Sequence, residues 1–185
     1  EEKVRKALAE RVDGATCVSS SMGNYAKNHL GIEHAVVVPN GGPLIPENEI
    51  HSRRQKRDNK TFTVFYSGSA IYPWQGLDML SGVIELAKTE APDIRFLLAV
   101  NQRSDYLPEG DNVEIKERVP RDEVLDAICS ADVCIALHPD WFWTPHGVHG
   151  SPTKLWEYMS CMTPIVTSNR GQMADLIEHE SNGML

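Results

Sequence analysis

The sequence predicts an α/β protein in which a Rossmann-like doubly wound parallel sheet follows a small N-terminal βα remnant. Two observations indicate this class. From residue 61 onward, short and nearly continuous apolar segments alternate with segments of helical period, as expected for strands that helices cover on both faces. The chain has 185 residues, of which 41% are hydrophobic and 24% are charged, so it can bury a core of its own.

The first 40 residues predict a separate βα unit. Residues 2–12 carry apolar side chains at the spacing of one helix face. Residues 14–21 predict a short buried strand that runs into a serine-capped helix over 22–31. Residues 35–42 predict a second strand, which a proline and two glycines bring to an end.

Residues 41–60 predict a linker, because this segment contains prolines and shows no periodicity. Within it, residues 51–57 (HSRRQKR) cluster four basic side chains that could contact anionic lipid or a phosphate. A solvated linker is the favoured interpretation of such a run. The chain starts inside a helical pattern and stops without a C-terminal element, so we expect it to be a piece of something longer.

From residue 61 to 185, strands and helices alternate as a parallel sheet with crossover helices requires. We expect this domain to be truncated at its C-terminus. Strands are predicted over 62–68, 94–100, 113–115, 132–137 and 164–168, and helices over 76–91, 120–131, 151–161 and 172–179.

Composition argues against several classes of function. The net charge of -8 disfavours nucleic-acid binding, which needs a broad basic surface. No apolar run approaches the length of a membrane span, and no signal peptide is evident. The four cysteines lack C-x-x-C spacing, so we expect reduced thiols and a cytoplasmic protein, with peripheral contact at the inner membrane face as an option for the full-length chain.

Ligands of such sheets bind beyond the carboxyl ends of the strands, so the loops there are the candidate sites. The loop at 67–76 places Gly68 and Gly76 around an aromatic insertion, and this spacing matches neither a GxGxxG motif nor a P-loop. Glycines still allow a ligand to approach the backbone. Taken alone, the loop is a weak signal.

The loop after the strand at 132–137 is rich in histidine and aromatic residues. His138, Asp140, His146 and His149 are types that bind zinc, but no helical His pairing accompanies them. A mobile loop that faces substrate is therefore favoured over a metal site.

The helix predicted from 151 carries the strongest signal. Ser151 and Pro152 fit the cap and the first helical position. Lys154 adds positive charge to the free amides of the first turn, which predicts an anion site suited to a phosphate or diphosphate. Glu157, one turn further, can accept hydrogen bonds from the vicinal hydroxyls of a ribose. The alternative is an ordinary Lys–Glu pair on the helix surface.

Helical spacing also assigns the faces of this segment. Leu155, Met159 and Met162 are predicted to face the core, and Lys154, Glu157 and Cys161 to form a neighbouring stripe that begins at the ligand-facing end.

The chain as a whole resembles a known enzyme family. The resemblance rests on six segments, which are, in chain order, VVVPNGG, FYSGS with QGLDML, IRFLLAV, DVCIAL, GSPTKLWEYMSCMTPIVTS and ADLIEHESNGML. They are similar to the retaining glycosyltransferases of the GT-B fold, family 4, and the run Lys-Leu-x-Glu-Tyr-Met followed by Pro-x-Val is the most specific part. The resemblance implies that residues 61–185 are the donor-binding domain, that 1–40 end the acceptor domain, and that 41–60 link them.

The resemblance also implies an activity. It predicts a hexosyl or glycosyltransferase (EC 2.4 class) that binds a UDP-, GDP- or ADP-linked sugar and, in the full-length protein, transfers the sugar with retention and without a metal or other cofactor. The acceptor would be a glycan, a lipid or a polysaccharide precursor. Without the acceptor domain, the chain is expected to bind donor and to turn over little.

Residue by residue, the resemblance places Glu157 at the second Glu of the E-x7-E motif, which holds the donor ribose. The first Glu falls at His149, which becomes the candidate contact to the donor sugar. The Arg and Lys that clamp the diphosphate fall near Ser69 and Gln75, neither of which is basic, so Lys154 is expected to compensate in part. The complete set of expected donor-binding positions is Gly68, Ser69, Gln75, Arg118, Val119, Gly147, Gly150, Ser151, Pro152, Thr153, Lys154 and Glu157.

Two other functions stay open. Sugar-nucleotide epimerases share the GT-B architecture, although the Lys-Leu-x-Glu-Tyr run is not their pattern. A non-catalytic interaction module would use Trp141, Phe142 and Trp143 as an exposed binding patch. A lid that packs these aromatic residues over the donor is the favoured interpretation.

Overall fold

The computed structural model describes residues 2–55, 57, 60–139 and 150–185, which form two parallel sheets with flanking helices. The smaller sheet pairs β1 (Ala15–Cys17) with β2 (Ala35–Val37). Helix α1 (Glu2–Ala9) precedes the sheet, and α2 (Ser20–Asn28) connects its strands. The hydroxyl of Ser19 accepts a hydrogen bond from a first-turn amide of α2, so a serine caps this helix as predicted, although the helix covers 20–28 instead of 22–31.

The larger sheet has five parallel strands in the order β5-β4-β3-β6-β7. The chain starts at the centre with β3, moves to one edge, and crosses back to build the other edge. This order confirms the predicted Rossmann-like doubly wound class. The strands are β3 (Phe62–Gly68), β4 (Ile94–Val100), β5 (Val113–Glu117), β6 (Val133–Ala136) and β7 (Ile165–Thr167). The helices of this part are α4 (Leu77–Glu90), α5 (Arg121–Ser130), α6 (Thr153–Ser160) and α7 (Gly171–Leu176).

The core lies on both faces of the five-stranded sheet, as its apolar strands predict. Phe65 and Tyr66 are consecutive on β3 and both are fully buried, so they must point to opposite faces. Phe65 joins the core that α5, α6 and α7 cover, and Tyr66 joins the core beneath α4. A central strand buried on both sides explains why its sequence shows no alternation.

The segment 41–60, predicted to lack periodic structure, contains a further helix, α3 (Glu47–Arg54). This prediction was wrong because a single apolar side chain, Ile50, attaches the helix to the core, and one residue produces no periodicity. Ile50 is 2% exposed. Helix α3 packs against α5.

The three arginines of the basic cluster in this segment are bonded to other residues instead of solvated as predicted. The guanidinium of Arg53 donates to the carboxylates of Glu49 and Asp126, both at 2.7 Å. Arg54 donates to the main-chain carbonyl of Met162 at 3.0 Å, and Arg57 pairs with Asp132. These arginines therefore bind the domain that follows them.

Apolar residues at helical spacing near the N-terminus, Val4, Leu8 and Val12, are exposed. The spacing predicted a helix correctly, although α1 ends three residues earlier than expected. No helix in the described part of the chain has the length and apolar character to traverse a bilayer.

Replacing Ile50 with alanine should destabilise the chain by about 2–4 kcal/mol, because the truncation leaves a cavity where α3 meets the core. Leu44 lies in the same segment and is fully exposed, so Leu44→Ala should change stability by less than about 0.5 kcal/mol. Urea unfolding of both variants measures the difference. Equal, small effects would contradict the docking of α3.

Candidate functional site

A cavity of about 850 Å³ opens where the carboxyl ends of the strands meet the first turn of α6. Strands β3 and β6 are neighbours there, although the chain builds β4 and β5 between them. Such a switch point leaves a crevice between diverging connections, and ligands of doubly wound sheets bind in it. The cavity volume lies in the range of small-molecule sites.

The rotation of α6 determines which side chains reach this cavity. The Tyr158 hydroxyl accepts a hydrogen bond from the amide of Ser67 at 2.9 Å, at the end of β3, and both residues are buried. Leu155 and Cys161 are fully buried on the same side. Met159 and Met162, predicted to face the core, are exposed, so that prediction was wrong. Helical spacing allows either of two faces of α6 to be buried. The hydrogen bond to Ser67 favours burial of the face that contains Tyr158.

Lys154 consequently points inward and is only 8% exposed. Its Nζ donates to the side-chain oxygen Oε1 of Gln75 at 2.7 Å and lies 4.1 Å from the centroid of the Tyr66 ring. None of the ion pairs found among the described residues includes Lys154. Burial lowers the pKa of Lys154 to about 7. The ammonium therefore lines a cavity without a carboxylate partner in this part of the chain.

Gly68 makes room for this arrangement. A Cβ at this position would lie 2.7 Å from Lys154 Nζ and 2.8 Å from the Tyr66 hydroxyl, which is closer than real Cβ contacts. The sequence suggested that this glycine allows close approach of a ligand. In the structure it also allows close approach of the lysine.

The start of α6 differs from the prediction. The helix begins at Thr153, with Pro152 at the cap and without a side-chain capping bond, so Ser151 is not the cap. The Ser151 hydroxyl instead accepts hydrogen bonds from the Asn40 amide at 3.2 Å and from Trp156 Nε1 at 3.3 Å. The Leu155 amide donates to the Pro152 carbonyl at 3.1 Å, but the proline cap supplies no side-chain oxygen for the two amides that begin the helix. This leaves the helix start suited to an anion.

Glu157 lines the same cavity and is 20% exposed. Its Oε1 lies 3.0 Å from Nη1 of Arg121 at the start of α5. Lys154 and Glu157 thus have different partners, and the alternative of a Lys–Glu surface pair is wrong. Arg121 was missed by sequence reasoning, although its place just after β5 put it at the ligand-facing edge.

His138 follows β6 and also lines the cavity. Burial, together with the nearby charge of Lys154, lowers the pKa of His138 to about 4, so its imidazole is neutral at pH 7. Among the described residues, His138 Nε2 and Ser69 Oγ are buried and find no hydrogen-bond partner. Buried polar atoms of this kind are available to a ligand.

Another part of the cavity wall comes from the connection between β5 and α5. Arg118 adopts a left-handed backbone conformation, with φ at 51°, and its amide donates to the Val100 carbonyl at 2.8 Å. This turn brings Val119 and Val124 to the cavity, where they form an apolar surface.

The structure brings together most of the positions predicted to bind a donor, and their role stays a prediction. Gly147 and His149 lie outside the described residues, as do the aromatic residues at 141–143. The predicted positions that line the cavity are Gly68, Ser69, Gln75, Arg118, Val119, Gly150, Ser151, Pro152, Thr153, Lys154 and Glu157. Lining residues that sequence reasoning did not single out as donor-binding are Ser67, Trp74, Ala99, Val100, Asn101, Arg121, Val124, His138 and Pro139.

The metal hypothesis involved His138 and three residues outside the described ranges, namely Asp140, His146 and His149. Within residues 2–55, 57, 60–139 and 150–185, no three His, Cys, Asp or Glu side chains are grouped so as to hold a metal ion.

The chain thus contains a Rossmann-like domain with a cavity at the switch point of its sheet. The model of the family described as glycosyl transferases group 1 matches residues 61–185, more than half of the chain. The chain therefore belongs to the glycosyl transferases group 1 family.

Solved structures of glycosyltransferases share this fold at low sequence identity. A glycosyltransferase from Rickettsia africae matches with a TM-score of 0.69 and 12% identity, over 99% of this chain and 51% of its own. A UDP-forming α,α-trehalose-phosphate synthase from Burkholderia vietnamiensis matches with a TM-score of 0.69 and 12% identity, over 94% of this chain and 49% of its own. A chain of the GtfA/B complex matches with a TM-score of 0.66 and 13% identity, over 98% of this chain and 35% of its own. At these identities the likeness shows the GT-B type of fold alone.

The chain spans between about a third and a half of the length of these structures. No protein of curated function matches it in sequence.

Lys154→Met should change how stability depends on pH. The pKa of Lys154 is about 7 in the folded chain and 10.5 ordinarily, so the unfolded chain binds more protons between these values. The burial penalty is therefore complete below pH 7 and is relieved as pH rises. Wild-type stability should rise relative to Lys154→Met by up to about 1.4 kcal/mol per pH unit between pH 7 and 10.

Urea unfolding at several pH values measures this slope. Lys27, which is exposed on α2, provides the control, since Lys27→Met should run parallel to the wild type. A Lys154→Met profile that also runs parallel would show that the lysine is not perturbed.

Proposed function

We propose that the cavity binds a nucleotide-diphosphate sugar and that the protein, as a retaining glycosyltransferase of family 4, transfers the sugar to an acceptor. The observation that carries this proposal is the buried Lys154, which lacks a carboxylate partner among the described residues and lies at the start of α6. A cation held this way in a cleft is suited to an anion that the ligand supplies.

The diphosphate would lie between the first-turn amides of α6 and Lys154 Nζ. The helix amides carry partial positive charge at this end, and the ammonium adds a full charge. Because the lysine is buried, its attraction to phosphate is screened less than at a surface. This pair of positive groups takes the place of the Arg and Lys that the family resemblance expects near Ser69 and Gln75.

The ribose would bind to Glu157. A carboxylate only accepts hydrogen bonds, and it has two oxygens. Arg121 contacts one of them, Oε1, at 3.0 Å, which fixes the orientation of the group while Oε2 can accept from a hydroxyl. The apolar surface formed by Val119 and Val124 would then face the base.

Catalysis would consist of positioning and of stabilising the leaving diphosphate. Negative charge grows on this group as the glycosidic bond to the sugar breaks, and preoriented positive groups lower the barrier most where they meet growing charge. The chain's own Lys154 and helix amides supply that charge in this proposal, without a catalytic metal.

Transfer requires an acceptor, which we propose is a glycan, a lipid or a polysaccharide precursor that reaches the cavity at the cytoplasmic side. The contact between Asn40 and Ser151 joins the segment before α3 to the helix start. The acceptor side of the protein would therefore meet the donor at this place.

Calorimetry with UDP-glucose, GDP-mannose and ADP-glucose tests donor binding. At least one should bind with a dissociation constant below about 1 mM. Lys154→Met and Glu157→Gln should each weaken binding by about tenfold or more, because each removes a charged partner of the ligand. The matched controls Lys27→Met and Glu85→Gln alter exposed residues on α2 and α4 and should leave affinity unchanged.

If none of the three nucleotide sugars bound detectably at millimolar concentration, the result would contradict the proposal. Binding that survives Glu157→Gln would favour an interaction module. Conversion of the free sugar nucleotide to its epimer would favour an epimerase.

A further inference from the structure

We propose that Gln75 is a positioning residue that, with Tyr66, holds Lys154 against neutral groups instead of a carboxylate in the described part of the chain, so that binding of a diphosphate draws a proton from solvent onto the lysine. This inference rests on the proposed function. It adds a coupling between donor binding and protonation that a permanently charged lysine would not show.

Gln75 contacts the lysine with a neutral acceptor. Its Oε1 accepts from Lys154 Nζ at 2.7 Å and from the Tyr66 hydroxyl at 3.3 Å. An amide oxygen accepts from a charged ammonium and from a neutral amine alike, and it carries no full negative charge. The contact therefore fixes where the nitrogen lies without requiring that it be charged.

The backbone holds Gln75 in place. It ends the short 3₁₀ turn Pro73–Gln75, and Gly76 follows in a left-handed conformation with φ at 71°. A Cβ at Gly76 would lie 2.7 Å from the Cβ of Leu137, so the turn is pressed against the end of β6. Gln75 cannot be displaced easily, and the lysine that it holds stays at the cavity wall.

Among residues 60–139 and 150–185, the groups that face Lys154 give it no compensating charge. From β3, Tyr66 presents the face of a ring whose pKa burial raises, so its hydroxyl stays neutral. After β6, His138 is also neutral above pH 5, because its pKa is lowered to about 4. Glu157, on the same helix, is paired with Arg121. The remaining charged group among the described lining residues is a cation, Arg118.

Burial in these surroundings lowers the pKa of Lys154 to about 7. The free protein at pH 8 therefore holds Lys154 mostly as a neutral amine. A sugar-nucleotide diphosphate keeps its two negative charges throughout this range, so its binding favours the ammonium and raises the lysine pKa in the complex.

The direction of the coupling follows. Below about pH 6 the lysine is already charged and binding takes up almost no proton, whereas above pH 8 the uptake approaches one proton per ligand. The affinity should consequently fall as pH rises, by up to about tenfold per pH unit above pH 7. Dissociation returns the proton to solvent.

The first experiment needs no ligand. Acetylation by acetic anhydride at a series of pH values, read by mass spectrometry, reports the fraction of each lysine that is a neutral amine. Lys154 should show a midpoint near pH 7, and exposed Lys27 is read in the same samples as the reference for reagent reactivity. A midpoint near 10 for Lys154 would overturn this inference and leave the proposed function intact.

The second experiment measures proton uptake directly. The nucleotide sugar that binds among UDP-glucose, GDP-mannose and ADP-glucose is titrated by calorimetry at pH 8 in Tris and in HEPES, whose ionisation enthalpies differ. The wild type should take up more than about half a proton per ligand. Binding with no uptake overturns the inference alone. Absence of binding by all three overturns the proposed function and the inference with it.

Variants separate positioning from a structural role. Gln75→Glu places a carboxylate beside the ammonium, so Lys154 should stay charged, its acetylation midpoint should rise, and proton uptake at pH 8 should disappear. Gln102→Glu makes the same change at an exposed position after β4 and should leave uptake unchanged. If Gln75 merely maintained the fold, Gln75→Glu would alter stability or affinity without abolishing uptake.

Discussion

The hydrogen bond between the Tyr158 hydroxyl and the Ser67 amide fixes how α6 meets the central strand of the sheet. A buried phenol needs a partner, and the amide at the end of β3 is one that only a single rotation of the helix can reach. With this rotation set, Lys154, four residues earlier, must point at the carboxyl edge of the sheet. The site is thus a consequence of core packing in the helix that carries it.

The same packing also lowers the stability of the folded chain, because it buries a lysine. A buried lysine without a carboxylate partner in the described part of the chain disfavours folding, since its charge loses hydration. The ring of Tyr66 and the oxygen of Gln75 offset part of this loss. A residue that conflicts with the stability of its own fold is typical of a binding site, where an incoming anion supplies the missing charge.

Sequence reasoning recovered the sheet and most of its helices because central parallel strands and amphipathic helices differ sharply in hydrophobic period. It failed where one side chain decides the structure. Helix α3 depends on Ile50 and on arginine contacts to distant residues, which no local pattern shows. Ser151 looked like a cap because of its neighbours in sequence, but its hydroxyl is engaged by Asn40, 111 residues away. The buried face of α6 was predicted wrongly at Met159 and Met162, because the contact of Tyr158 with Ser67, 91 residues away, decides it.

Hydrogen bonds of Asn40 connect the segment that follows the smaller sheet to the start of α6. Its side-chain amide donates to the Ser151 carbonyl at 2.8 Å, and its main-chain amide donates to the hydroxyl of the same residue. A Cβ at Gly42 would lie 2.5 Å from the Trp156 carbonyl, so the chain crosses directly over α6 just before α3. Any reorientation of the smaller sheet must break these contacts or carry the start of α6 with it. Movement of one sheet relative to the other would therefore act directly on the first turn of α6, where Lys154 lies.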